Sequence, residues 1–534
     1  MRSNGLTPTT TERLPAAHRT LISRRAFTTA LIAVPFAIRA QQSPLHARIK
    51  IDTERVISDI DPKIYGNFIE HLGRCVDGGV FEEGSPLSDS NGFRRDVLDA
   101  ARKLNVTVAR WPGGNFSSNY HWQDGIGPRD QRPRRLEMAW GTIETNRFGT
   151  HEFLQYAEMM GTQPYICTNL GTGTWTEAQQ WVEYVNSSQD TAMTRLRKQN
   201  GRQEPWKVPY WGLGNEMDGP WQMGHRSASD YGAFALEAAK LMKWTDPDIK
   251  LIAAGSSNFG AGIDWIGWNR TVLDFLKRHV DYLAIHMYVG NRDNDYYEFL
   301  TSSIDLEERI KTTEGVINAA MSGEPRNRRI YIAWDEWNVW YRARGPQQRG
   351  RRILEERYNM EDALVVATFL NTFVNNAHII KMANMAQLVN VIAPIFTSEK
   401  GMFLQTIYYP LQLFANNTKG KALELFVESP KYESKRFGQV PYLSTSAGYD
   451  NGTLVLNVVN RHRDQPIEVE FETQDKQFAG PVEVSEVNGP DIKAENDFDT
   501  TKVKAVAGSV TAEGRKLRYR CPPHSYTMLK AKLA

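Results

Sequence analysis

The chain has 534 residues, enough for one large domain and a smaller companion. Its 64 basic and 62 acidic residues leave a net charge of +2, so no general affinity for nucleic acid or for a membrane surface follows. The 14 Trp and 21 Tyr suit sugar-stacking surfaces, but they suit a large core equally, and only position decides between the two.

Residues 1–40 stand apart. Ser23-Arg24-Arg25-Ala26-Phe27 precedes a short apolar stretch, residues 30–38, and then Arg39-Ala40. Paired arginines ahead of a modest apolar segment are the pattern of a twin-arginine export signal. The stretch is too short for a membrane anchor. A cleaved leader and a periplasmic or secreted protein are therefore expected. The long run before the arginines, and Arg39 inside the cleavage region, keep a cytoplasmic protein as the alternative. Cys75, Cys167 and Cys521 are scattered, odd in number and without metal-ligand spacing, and read as buried thiols.

Residues 47–60 alternate apolar and polar as a half-buried strand does. A rhythm then begins, with apolar, β-branched runs at residues 64–70, 106–111, 163–169, 208–216, 250–256, 282–288, 329–337 and 378–387. Segments with helical periodicity lie between them, at 93–104, 151–160, 175–186, 229–244, 270–279, 305–321 and 361–375. Eight strand–helix units in series predict an α/β fold, a (β/α)8 barrel over residues 61–400. A doubly wound sheet is the alternative, but no glycine-rich dinucleotide turn follows the first strand. Gly171-Thr-Gly-Thr174 also lacks the Lys-Ser/Thr ending of a phosphate loop.

Past residue 400 the runs become short and alternating, broken by Gly, Asn, Asp and Pro, which predicts a β-sandwich over 401–534. The strand over 46–60, with no obvious place in a barrel, is expected to complete it. The basic clusters at Arg132-Pro-Arg-Arg135 and residues 342–352 read as solvated loops.

A barrel of this kind gathers its chemistry at the carboxyl ends of its strands. Those ends carry Glu70-His71, Arg110 ahead of Trp-Pro-Gly-Gly-Asn115, Asn169, Asn215-Glu216, His286 and Tyr288, Asp335-Glu336-Trp337, and Gln387. So many polar groups at one rim are hard to explain as scaffolding, because buried polar groups are costly unless paired. Two carboxylates with amides, a Tyr and several Trp suggest glycoside hydrolysis, where one carboxylic acid protonates the leaving oxygen and a second carboxylate attacks the anomeric carbon. Strand alternation argues that Asp335 and Glu336 do not both face the pocket, and leaves open which one does. No metal-ligand spacing appears near these ends, so no metal is expected.

Several stretches then carry a resemblance. Gly66-Asn-Phe-Ile-Glu-His-Leu-Gly-Arg74, Arg110-Trp-Pro-Gly-Gly-Asn-Phe116, Gly214-Asn-Glu-Met-Asp-Gly-Pro-Trp-Gln222 and Asp335-Glu-Trp-Asn-Val-Trp340 resemble the α-L-arabinofuranosidases of glycoside hydrolase family 51. The match runs in order from about residue 46 to the C-terminus. It implies Glu216 as acid/base and Glu336 as nucleophile of a retaining double displacement. It places Asn115, Asn215, Glu70, Tyr288 and Gln387 around the furanose ring, and Trp140 and Trp221 as walls of the site. Arg110 and His286 would orient carboxylates, with Asp335 in support. It further implies no cofactor, an arabinose-containing polysaccharide or oligosaccharide as substrate, and a homo-oligomer, often a hexamer. Asp77 departs from the pattern, which has Tyr there; it is expected near the pocket rim, where it either alters leaving-group tolerance or has no effect. Glu70 is expected to be held ionised by sugar hydroxyls or by Arg74, and the apolar approach Trp211–Leu213 to surround Glu216. An endo-acting barrel glycanase cutting xylan or β-glucan is the rival enzyme, and a non-catalytic sugar-binding protein the rival outside enzymes.

Overall fold

The structure, a computed structural model, describes residues 44–343 and 352–534; the segment expected to be a leader, residues 1–40, and most of the basic cluster 342–352 lie outside those residues. Eight strands run parallel and close into a barrel in chain order: Gly66–Phe68, Val108–Trp111, Gln163–Cys167, Tyr210–Leu213, Lys250–Ala254, Tyr282–Val289, Tyr331–Val339 and Ile380–Ala386. Each overlaps the run that predicts it. The doubly wound alternative is thereby excluded.

Alternation along these strands separates two cores. Val108, Tyr165, Tyr210, Ile252, Tyr282 and Met382 fill the barrel interior. Trp211, Leu213, Trp334 and Trp337 belong to the larger core outside it. Trp211 meets Trp181 of helix Trp175–Asn186 edge to face, with centroids 6.0 Å apart. The apolar approach Trp211–Leu213 therefore packs on helices and does not surround Glu216.

Two sheets follow the barrel and share one apolar core, as a sandwich does. One has the strand order Phe426–Glu428, Leu45–Ile51, Ile467–Thr473, Lys516–Cys521. The other has seven strands, with Thr453–Asn460 and Ser525–Leu533 at its centre. The single strand expected over 46–60 is two strands, one in each sheet. Leu45–Ile51 pairs parallel with Ile467–Thr473, and Val56–Asp59 pairs with Lys421–Leu423. The break between them is an Asx-type turn in which Asp52 Oδ1 accepts from Glu54 N at 2.9 Å.

The outer face of the seven-stranded sheet lies against the barrel layer, so Thr453–Asn460 is buried almost throughout. Helix Met360–Asn375 is wedged between them, in contact with strands 443–450, 453–460 and 525–533. It is buried from Met360 to Val374, which its all-round apolar sequence permits. Helix Tyr408–Asn417, which periodicity did not predict, packs on Arg95–Leu104 and Met360–Asn375. It is short and carries Pro410 in its first turn, where proline is tolerated. The three cysteines are free and buried. Among the described residues no helix is long and apolar enough to cross a membrane.

Candidate active site

The strand Tyr331–Val339 delivers Glu336, and it does so through an irregularity. Its pairing with Tyr282–Val289 runs Ala284 to Ala333 and then His286 to Glu336, so one extra residue is inserted on the Glu336 side. Such a bulge re-aims side chains and breaks alternation. Asp335 and Glu336 consequently both turn inward, contrary to the alternation argument. Trp334 and Trp337 on either side pack outward against Phe373. The two carboxylates occupy different depths: Glu336 lines the cavity, and Asp335 sits beneath, accepting from Tyr165 Oη at 2.8 Å and Asn384 Nδ2 at 2.7 Å.

Arg110 joins these layers. Its Nη1 donates to Glu336 Oε1 at 2.6 Å, its Nη2 to Asn215 Oδ1 at 2.5 Å, and its Nε lies 3.3 Å from Asp335 Oδ2. Phe68 stacks under the guanidinium, 4.6 Å from ring centroid to Cζ. Tyr288 Oη donates to the other oxygen, Glu336 Oε2, at 2.7 Å. Burial opposes ionisation of Glu336, but the positive charges of His286 and Arg110 and the bonds from Arg110 and Tyr288 hold it below the usual carboxylate range.

Glu216 follows strand Tyr210–Leu213 through Gly214 at φ +79°, and itself adopts φ +44°. A glutamate in the left-handed region is strained, a state that surrounding structure must impose. Its Oε1 lies 2.9 Å from His286 Nδ1, and its Oε2 accepts from Trp221 Nε1 at 2.5 Å. His286 Nδ1 is also 3.7 Å from Glu336 Oε2, and its Nε2 faces Asp335 Oδ2 at 4.0 Å. Burial lowers the proton affinity of His286, but Glu336 and Glu216 outweigh it and raise the imidazole above its ordinary value. The three residues bring one carboxylate oxygen from each glutamate and His286 Nδ1 within 4.8 Å of one another. A dication there would compete with the Arg110 guanidinium, so the donor set suits proton handling better than metal binding.

The third carboxylate, Glu70, closes the inner end of the cavity. Oε1 accepts from Phe116 N at 3.0 Å and Trp140 Nε1 at 3.2 Å, and Oε2 from Gln387 Nε2 at 3.0 Å. Burial first and the charge of Glu336 second push Glu70 up to about 7 despite those donors. Arg74 plays no part here: it is tied to Glu355 at 2.6 Å and to Thr397. The backbone approaches closely at Gly113 and Gly114. A Cβ on Gly114 would stand 3.1 Å from Glu336 Oε1, and one on Gly113 2.6 Å from Glu70 Cγ.

Glu70, Asn115, Trp140, Glu216, Trp221, His286, Tyr288, Glu336 and Gln387 all line a single cavity of about 700 Å³. Asn215 and Arg110 stand directly behind it. Asn169 does not reach it, and instead caps the 171–173 loop. Asp77, expected at the pocket rim, instead lines a neighbouring cavity with His71, Glu144 and Arg147. The basic loop at 132–135 is only partly solvated, since Arg132 binds Glu152 and the Gly127 and Asn146 carbonyls. Arg342 is likewise paired, with Asp362 at 2.8 Å. Sequence reasoning missed Phe259, Met287, Asp305 and Arg309, which also line the cavity. Arg309 lies inside a helix with charges on all sides and carries no motif.

A parallel eight-stranded barrel with two glutamates this close at its carboxyl-terminal mouth is the arrangement of a glycoside hydrolase. Two family models match, the α-L-arabinofuranosidase 1 domain over residues 100–303 and the α-L-arabinofuranosidase C-terminal domain over residues 335–525. An intracellular exo-α-(1→5)-L-arabinofuranosidase of Bacillus subtilis is 40% identical over 91% of this chain and 99% of its own. The crystal structure of a Thermotoga maritima α-L-arabinofuranosidase in an arabinose complex is 37% identical, with a TM-score of 0.84 over 91% of this chain and 100% of that one. A family 51 enzyme from Bifidobacterium longum is 32% identical, with a TM-score of 0.86 over 92% and 100%. The chain belongs to the α-L-arabinofuranosidases of glycoside hydrolase family 51.

Proposed function

We propose that the enzyme releases terminal α-L-arabinofuranosyl residues by a retaining double displacement, with Glu336 as nucleophile and Glu216 as acid and then base. The observation that carries this is the approach of Glu216 and Glu336 to within 4.8 Å, oxygen to oxygen, across His286. That spacing fits the roughly 5–5.5 Å of a retaining pair and falls short of the about 6.5–9.5 Å of an inverting one.

The geometry supports a division of labour. Glu336 is held ionised by Arg110 and Tyr288, each on a different oxygen, and stands ready to attack the anomeric carbon. A proton on the line between Glu216 Oε1 and His286 Nδ1 is available to the leaving oxygen. When Glu336 becomes an ester its negative charge disappears, and with it the main attraction that holds a proton on His286. Glu216 is then an ionised carboxylate placed to take a proton from water, which attacks the ester and restores Glu336. Asn115, Glu70 and Gln387 supply the donors and acceptors that a furanose ring with several hydroxyls needs, while Asn215, behind the cavity, holds Arg110 and Gln222 in place.

Exo action is supported by the inner end of the cavity, which Glu70 and Gln387 close, so that a chain end enters and a chain interior does not. The natural substrates in this reading are arabinan and arabinoxylan chains or their fragments. The names of two relatives contain the word intracellular, which favours the cytoplasmic alternative over export, while Arg24-Arg25 remains the contrary feature. Cell fractionation of the full chain beside Arg24→Lys/Arg25→Lys tests this, with activity expected in the cytoplasmic fraction of both. A homo-oligomer, a hexamer by family resemblance, is the accompanying expectation for light scattering.

The catalytic roles are tested on an aryl α-L-arabinofuranoside. Glu336→Ala should remove turnover, and Glu216→Ala should slow natural substrates by about 10²–10⁴-fold. With a good leaving group the Glu216→Ala loss should be much smaller, and azide should restore turnover as a glycosyl azide. Wild-type rates in Glu336→Ala would refute the assignment.

A further inference from the structure

Glu216 belongs to neither a strand nor a helix, so the restraint on its strained backbone comes from outside its own element. The turn that carries it is closed by Gly219 N, which donates to Glu216 O at 2.8 Å. It is tied outward by Asp218. Asp218 Oδ2 accepts from Ser257 N at 2.7 Å and from Asn258 N at 2.9 Å, and its Oδ1 accepts from Ser257 Oγ at 2.5 Å. Those donors lie just past strand Lys250–Ala254, the barrel neighbour of the strand that leads into Glu216.

The same segment also fixes His286. Ser256 O accepts from His286 N at 3.3 Å. Ser256 is anchored in turn to helix Trp265–Leu276, its N donating to Asn269 Oδ1 at 2.9 Å and its Oγ accepting from Asn269 Nδ2 at 3.0 Å. The turn of Glu216 and the backbone of His286 are therefore both held by residues 256–258, one through a carboxylate and the other through a carbonyl. The 2.9 Å between Glu216 Oε1 and His286 Nδ1 is the distance these two ties leave. We infer that Asp218 is a positioning residue for proton transfer, which clamps the turn of Glu216 to residues 256–258 and so sets Glu216 against His286 and the leaving oxygen. This rests on the assignment of Glu216 as acid. The strands themselves do not depend on the clamp, because Tyr231 Oη bridges their ends, donating to Leu213 O and accepting from Ala254 N, each at 2.8 Å. Asparagine at 218 can keep an oxygen on the two backbone N–H groups and turn its Nδ2 to Ser257 Oγ, since a hydroxyl accepts as well as donates. Alanine keeps none of these bonds.

The test compares kcat/KM on phenyl α-L-arabinofuranoside, whose leaving oxygen needs a proton, with the 2,4-dinitrophenyl glycoside, whose leaving oxygen does not. Asp218→Ala should lower the first by about 10–10²-fold, a part of the roughly 10²–10⁴-fold that a positioned acid supplies, and the second by about twofold or less. Asp218→Asn should recover most of the loss. Ser257→Ala, which removes the hydroxyl donor alone, should show the same split at smaller size, and it carries the test if Asp218→Ala does not fold. Equal losses on the two glycosides would mean a role in the fold alone and overturn the inference. No loss on either would overturn it too, as would Asp218→Asn as impaired as Asp218→Ala. Glu216→Ala on the same two glycosides tests the acid assignment by itself. A leaving-group dependence in Glu216→Ala but not in Asp218→Ala would remove the clamp and leave the acid, whereas none in Glu216→Ala would remove the acid.

Discussion

Glu70 is the residue whose charge the amino-acid sequence leaves open and whose surroundings decide it. Burial and the negative charge of Glu336 push it up to about 7, against an ordinary value of 4.5. Between those two pH values the folded state binds more protons than the unfolded chain, so the contribution of Glu70 to stability is fullest below about 4.5 and is lost as pH rises through about 7. Glu70→Gln removes the titration, and the melting temperature of wild type minus variant should therefore fall across that window. In the same range KM of the wild type should drop as ionised Glu70 becomes the better acceptor for sugar hydroxyls, while KM of the variant stays flat. A stability difference that rises with pH would contradict the sign. The candidate catalytic residues themselves were legible because each ends an apolar run, which is where a barrel exposes strand ends. The placing of Asp335 was not, since a bulge leaves the apolar pattern of residues 331–339 unchanged. Arg74 was misread for a related reason, because its partner Glu355 is 281 residues away.

At the scale of elements, the eight barrel strands were legible because both faces are buried, which writes them as continuous apolar runs. The hairpin Arg135–Glu137 with Thr142–Glu144 was not, because it exposes Leu136, Met138 and Ile143 and is preceded by basic residues. Yet this hairpin carries Trp140 to Glu70. It is fastened by His71, whose Nε2 accepts from Trp111 Nε1 at 3.0 Å and whose Nδ1–H therefore donates to Glu144 Oε2 at 2.9 Å. Glu144 also accepts from Asn146 N at 2.6 Å at the base of the hairpin. Glu144→Ala cuts both ties, so Trp140 should lose its fixed place on Glu70. The expected outcome is a KM on aryl arabinofuranoside raised about five- to tenfold with kcat little altered, corresponding to roughly 1 kcal/mol of ground-state binding. A fall in kcat with KM unchanged would instead implicate the hairpin in the chemical step.

For the whole molecule, the question is whether barrel and sandwich unfold as one. The seven-stranded sheet buries Val455, Val459, Val487 and Tyr526 in the same core as the barrel helices, and Phe414 stacks on Tyr526 with centroids 5.2 Å apart. Polar ties cross the same boundary, with Arg461 Nη2 on Ser303 Oγ at 2.8 Å and Lys493 Nζ on Glu361 Oε1 at 2.5 Å. Glu361 is fully buried beside Asp362, whose carboxyl burial pushes up to about 7, so two carboxyls share one site with Arg342 and Lys493 as counter-charges. Removing one member of a buried pair leaves a charge without its partner, at a cost of about 3–5 kcal/mol when both are enclosed. The Lys493 side chain is 45% exposed and Arg342 remains 3.8 Å from Glu361, so Lys493→Ala should cost less, about 1–2 kcal/mol. The loss should appear as a lower urea midpoint in a single transition followed by both fluorescence and activity. Lys493→Met keeps the aliphatic stem and should lose as much as Lys493→Ala if charge is the cause. Adding Glu361→Gln to Lys493→Ala should recover part of the loss, because the unpaired charge is then gone. Separate transitions for activity and for sandwich structure would show instead that the two cores melt independently, and that the cross-boundary pair contributes only to the sandwich.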